Sequence, residues 1–170
     1  MTLGNGRIRF EPRTVTVTRS DYVGPWNIQG FRESRDNFAD STYRLPHGIW
    51  RLGWANNTVD MGVDGTGVYA AAGGVTGIAT SGDAIQFVTR ALEVDIATNG
   101  YGQWWVEGVG RTRFSDGVEP LPPGNYVVSA QKPNQPVRSV NVTLNTDGSF
   151  GITGGSTTYA QASAGKLIWQ

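Results

Sequence analysis

The sequence predicts an all-β fold, an antiparallel sandwich or barrel of about ten short strands. Three observations lead there. Apolar and polar residues alternate with period two in several short runs, as in Thr14-Val15-Thr16-Val17-Thr18 and Val140-Asn141-Val142-Thr143-Leu144. Turn pairs such as Asp64-Gly65, Asn99-Gly100, Asp116-Gly117 and Asp147-Gly148 punctuate those runs. The 170 residues include 24 Gly and only 16% charged side chains, while six Trp, six Tyr and six Phe supply material for a core. The length suits a single domain over residues 1–170, with 1–115 and 116–170 as conceivable sub-units.

The elements follow in order. Val15 and Val17 share one face of a first strand, which starts after Pro12 or lies at an edge because proline cannot donate to a ladder. Trp26 to Phe31 alternates as a short strand, and 34–42 reads as a polar loop. In Ile49 to Trp54, the side chains of Trp50, Leu52 and Trp54 share a face. Asn56-Asn57 turns the chain into 58–63, and Asp64-Gly65 makes a two-residue hairpin into 66–69. Residues 70–82 carry small side chains that permit close backbone approach.

Residues 83–97 are ambiguous. Ile85, Val88, Leu92 and Ile96 fit one helix, whereas Leu92, Val94 and Ile96 against Glu93 and Asp95 fit a strand, which is the preferred reading. That strand is expected to form a hairpin, through Asn99-Gly100, with Gln103-Trp104-Trp105-Val106. Further strands are expected over 102–114, 126–130, 137–144 and 149–152, and a last one over 166–169.

One pattern occurs twice. Leu45-Pro46-His47-Gly48-Ile49-Trp50-Arg51-Leu52 and Leu121-Pro122-Pro123-Gly124-Asn125-Tyr126-Val127-Val128 both read Leu-Pro-x-Gly-x-aromatic-x-aliphatic. Either the two share a turn type, or a whole β unit is duplicated.

Composition excludes several chemistries. With no Cys, there is no disulfide, thiolate metal site or thiol nucleophile. His47, the sole histidine, sits in a Pro-His-Gly turn, which rules out a multi-histidine zinc site and leaves a catalytic triad without a Gly-x-Ser-x-Gly elbow. Zero formal net charge argues against nucleic acid as a partner. No apolar run approaches the roughly 20 residues of a membrane span, so no membrane insertion is expected. The N-terminus lacks a basic start followed by an apolar stretch, so no signal peptide is read there. No phosphate-cradling loop, cofactor motif or EF-hand spacing is present, although Asp60 to Gly65 has a faint calcium-loop look. The sequons at Asn56 and Asn141 carry meaning only after secretion.

Two groups of residues remain as site candidates. Glu93 and Asp95 share a strand face, and the expected hairpin would bring Glu107 opposite them; such a cluster suits a glycosidase or a cation, or simply a solvated face. The tryptophans Trp50, Trp54, Trp104, Trp105 and Trp169 are candidates for an interface or for sugar stacking. Trp104 and Trp105 must point to opposite sides of a strand, and Trp169 lies beside the C-terminus, where surface positions are common.

The Leu121–Val128 strand, followed by 137–150, resembles the Ig-like or transthyretin-like β modules of adhesins and phage proteins, and the wider profile resembles virion proteins of tailed bacteriophages. That resemblance implies a head-decoration, tail or fibre component. Such a protein is made in the host cytoplasm and located in the virion, and forms a homo-oligomer, with a trimer favoured, that docks on other virion proteins. A carbohydrate-binding module or lectin using the exposed Trp residues is the alternative. A glycan-acting enzyme using Glu93, Asp95 and Glu107 is the third reading.

Overall fold

The computed structural model describes residues 2–4, 7–9, 11–29, 36–70, 77–155 and 158–170, with only the backbone at 2–4, 7–9 and 70. Every regular element among them is a strand, apart from one 3-10 turn. A short hairpin, β1 (Thr2–Gly4) and β2 (Arg7–Arg9), comes first. The next eight strands are β3 (Arg13–Thr18), β4 (Trp26–Gln29), β5 (Ser41–Leu45), β6 (Gly48–Trp54), β7 (Asn57–Val63), β8 (Val68–Ala70), β9 (Ile78–Ser81) and β10 (Ala84–Phe87). They form two four-stranded sheets, ordered β5-β3-β10-β9 and β4-β6-β7-β8.

The remaining strands are β11 (Arg90–Asp95), β12 (Gln103–Val106), β13 (Thr112–Arg113), β14 (Gly117–Leu121), β15 (Gly124–Gln131), β16 (Arg138–Leu144), β17 (Phe150–Gly155), β18 (Ala160–Ser163) and β19 (Lys166–Trp169). Their sheets are ordered β14-β11-β19-β18 and β13-β12-β15-β16-β17. With β13 set aside, this is the first arrangement again, strand for strand and in the same chain order. Even the unusual feature recurs: the first and last strands of each unit pair in parallel, β3 with β10 and β11 with β19. All the other pairings are antiparallel.

Side-chain contacts recur at matching positions. Trp26 and Trp104 are fully buried, and their Nε1 groups donate to the carbonyls of Ala39 and Ser115 at 3.1 and 2.9 Å. Asp40 accepts from the Arg19 amide, and Asp116 from the amides of Ile96 and Ala97, each carboxylate holding the end of its unit's first strand. Tyr22 packs on Phe87 with ring centroids 5.4 Å apart, and Tyr101 on Trp169 at 5.5 Å. In the twin Leu-Pro-x-Gly segments, the Trp50 indole donates to the Pro46 carbonyl and the Tyr126 hydroxyl to that of Pro122. The twin segments therefore belong to two copies of one eight-strand β sandwich, at 13–87 and 90–169. A division at 115/116 would cut through both sheets of the second copy, because β11 pairs with β14 and β12 with β15.

Other expectations need correction. Seventeen strands lie in the four sheets, more than the sequence suggests, because strands of two to four residues are too short to show a period. Residues 83–97 contain no helix: they form β10, β11 and the start of a 3-10 turn, Ala97–Asn99, closed by Gly100 at φ +73°. That turn does not make a hairpin. It carries the chain from one sheet to the other, so β11 pairs with β14 and β19, and β12 with β13 and β15. Residues 102–114 are two short strands and not one run. The β6–β7 turn is at Ala55-Asn56, since Trp54 pairs with Asn57. Asp64 closes a four-residue loop, in which its carboxylate accepts the amides of Thr66 and Gly67. Parts of the expected 26–31 strand, the 34–42 loop and the small-residue stretch, at 30–35 and 71–76, lie outside the described residues.

The two copies share one hydrophobic core, and among the described residues three side-chain bonds cross the junction between them. Trp54 Nε1 donates to the Tyr126 hydroxyl at 3.2 Å, and the Asn57 amide both donates to the Asn125 carbonyl at 3.0 Å and accepts its N–H at 2.8 Å. Two glycines let the backbones meet. Gly77, at φ +98°, would place a Cβ 3.0 Å from both Pro122 and Trp54, and a side chain on Gly124 would collide with the Asn57 amide. Burial raises the ionisation of the Tyr126 hydroxyl far above the ordinary phenol range, and that of Tyr22 likewise.

Candidate functional site

The structure separates the five tryptophan candidates. Trp54, Trp104 and Trp169 are at most 3% exposed and belong to the core, so none of them offers a surface for stacking. Trp169 is buried despite its position because β19 is an inner strand, flanked by β11 and β18. Trp50 is half-buried at the Pro46 turn, packed against the core. Trp105 is half-buried too, and it points away from the core because it follows Trp104 on β12.

The three carboxylates are not brought together. Glu93 pairs with Lys166 at 2.6 Å and holds the Lys166 ammonium above its ordinary range. Asp95 accepts from the backbone and hydroxyl of Thr98. Glu107 belongs to the other sheet, just beyond β12. The calcium-like stretch is also spoken for, with Asp60 bound to Arg51 and Asp64 to its own turn, and their partners lower both carboxyls. Among the described residues no three His, Asp or Glu side chains are grouped to hold a metal. His47 is exposed in its turn.

What does assemble is a face on the outer side of β12, β15 and β16. Register sets Trp105 opposite Ser129, and Ser129 opposite Ser139. Trp105 Nε1 donates to Glu107 Oε1 at 2.7 Å. Residue 107 follows 105 by two positions, just past the end of β12, so this bond runs along the chain direction on one face. Ser129 Oγ donates to the same Glu107 oxygen at 2.8 Å and lies 2.8 Å from Ser139 Oγ. Ser129 points outward and yet is fully buried, so its neighbours Trp105 and Glu107 roof it. The indole is thus tied by its N–H into a polar network whose buried member, Ser129, is satisfied.

The next row continues the face. Gln103 stands opposite Gln131 and donates to its amide oxygen at 2.8 Å, and Gln131 donates to the Gln135 carbonyl. Beside them an open cleft of about 270 Å³ is lined by Gly102, Gln103, Gln131, Lys132, Pro133 and Asn134. The Lys132 ammonium sits 4.8 Å from the Tyr101 ring centroid. An aromatic plane, a carboxylate and two side-chain amides on one exposed surface can stack on an apolar ligand face and hydrogen-bond its rim.

Sequence reasoning reached Trp105 and Glu107 but missed Ser129, Ser139, Gln103 and Gln131. Gln103 was within reach, because it shares the Trp105 face at spacing two; the two serines and Gln131 come from strands that only the register brings alongside. An exposed aromatic of the first sandwich, Tyr69, lies so close to Gly62 that a Cβ there would meet its ring. Comparison with protein-family models, curated proteins and solved structures finds no match for the chain.

Proposed function

We propose that the chain is a non-catalytic assembly protein, a virion component of a tailed bacteriophage of the decoration, tail or fibre kind, acting through oligomerisation and docking on other virion proteins. The observation that carries this reading is the tandem repetition of one β sandwich with a sealed junction at Trp54, Asn57, Asn125 and Tyr126. Building a longer body from repeated β units suits a structural role. The acidic side chains that would serve catalysis are instead spent on an ion pair, a turn and a surface network. Zero net charge leaves little repulsion between copies, which favours self-association.

Light scattering on the purified chain tests this. A trimer, or another closed oligomer stable to salt, is the expected result. A monomer at every concentration up to the solubility limit, showing no affinity for capsid or tail preparations, overturns it.

A further inference from the structure

We propose that the outer face of β12 and β15 in the second sandwich is a binding site for an uncharged pyranose oligosaccharide, with Trp105 as its floor. Three features carry the assignment. The Trp105 indole is held in place before any ligand arrives, because Glu107 accepts its N–H. A platform fixed in the free protein loses little freedom on binding. Glu107 Oε1 is occupied by Trp105 and Ser129, but no hydrogen bond engages Oε2 among the described residues, and that oxygen is not buried. Gln103 likewise spends its amide nitrogen on Gln131 and leaves its oxygen unengaged. A pyranose needs this combination: C–H groups on its face meet an indole, and hydroxyls on its rim donate to fixed acceptors.

Electrostatics and length narrow the ligand. The acceptors beside the indole include a carboxylate with no cation bonded to it, so an acidic group at the indole would meet Glu107 with like charge, while the Lys132 ammonium is already placed over the Tyr101 ring. Residues 105 and 103 lie about 7 Å apart along the strand, and the cleft at Lys132, Pro133 and Asn134 extends the same face. That reach accommodates more than one sugar ring. The first sandwich lacks the site: the positions matching Trp105 and Ser129 are Asn27 and Gly53, which pair with each other across β4 and β6. The assignment does not depend on the oligomeric state proposed above.

The test uses the full chain with cellohexaose, chitohexaose and maltohexaose, read by calorimetry and tryptophan emission. Trp26, Trp54, Trp104 and Trp169 are buried, so an emission change reports on Trp105 or Trp50. At least one of the three sugars is expected to saturate the protein. Trp105→Ala should weaken that binding about tenfold or more, a loss of the size that removing an aromatic stacking partner produces. Glu107→Gln keeps an oxygen for Trp105 and Ser129, so it should fold normally and weaken binding severalfold. Trp50→Phe should leave it unchanged. Failure of all three sugars to bind the folded protein overturns the proposal, as does unaltered affinity in both Trp105→Ala and Glu107→Gln. Tighter binding of hexagalacturonate than of the neutral sugars would overturn the assignment to uncharged ligands. Since light scattering reads the assembly state separately, the two proposals fail independently.

Discussion

Removal of one oxygen atom at the junction, by Tyr126→Phe, should destabilise the whole chain measurably. The Tyr126 hydroxyl donates to the Pro122 carbonyl and accepts from Trp54 Nε1, and all three residues are buried. Phenylalanine fills nearly the same space, so the apolar packing survives. What is lost is the partner of a buried acceptor and of a buried donor at once. Each such orphan costs roughly 1–3 kcal/mol, and about 1.5 kcal/mol apiece gives a total of roughly 3 kcal/mol if neither finds a substitute. For a chain of this length, that lowers the melting temperature by roughly 6–12 °C. In urea the midpoint should fall while the slope stays constant, because the surface exposed on unfolding is unchanged. Trp54→Phe breaks the same Trp54–Tyr126 bond from the other side. The double variant should therefore lose less than the two single variants together, by about 0.5 kcal/mol or more. A Tyr126→Phe midpoint within error of the parent, together with strict additivity in the double variant, would refute the view that this hydroxyl seals the junction.

Other outcomes follow from the same packing. Glu119 is 2% exposed on the inward face of β14, and its Oε2 accepts from Arg113 Nε at 2.8 Å. Arg113→Met strands that carboxylate and should cost about 3–5 kcal/mol in chemical denaturation, whereas the pair Arg113→Met with Glu119→Leu should recover most of the loss. Burial raises the folded-state ionisation of Tyr22 and Tyr126 above that of the unfolded chain, so the stability they contribute is complete below the unfolded value near 10 and drains away as pH rises past it. Unfolding free energies measured between pH 8 and 11.5 should hold steady at first and then drop by up to about 2.7 kcal/mol per pH unit, about 1.36 for each of the two groups; a flat profile to pH 11.5 contradicts the burial. Gly77→Ala forces a side chain into a left-handed position against Pro122 and Trp54. It should lower stability by about 1–3 kcal/mol, visible as a reduced melting temperature.

Much of the secondary structure was legible in the sequence because period-two patterning is a local property. Val15 with Val17, and Val140 with Val142 and Leu144, alternate on inner strands and are all buried. The opposite orientation of Trp104 and Trp105 needed only the geometry of a strand. Which tryptophans were accessible was not legible. Trp54 and Trp169 look like any other aromatic near a turn or a terminus, and their burial depends on which strands flank them. The strand reading of 83–97 was right for β10 and β11, yet the hairpin inferred from Asn99-Gly100 was not. A turn pair states that the chain bends, and it does not state which strand the bend delivers as a neighbour.

The sequence by itself determined an all-β chain without thiol chemistry, the inward faces of its longer strands, and a single eight-residue echo between its halves. Those properties depend on residue type and short-range spacing. Only the tertiary structure decided that the echo belongs to a complete second sandwich, since the equivalence lies in strand order and parallel closure and not in residue identity. It also decided where Trp105 finds its partners. Glu107 is two residues away, but Ser129 and Ser139 reach the same surface only through the β12–β15–β16 register, which long-range hydrogen bonding sets and local sequence does not encode.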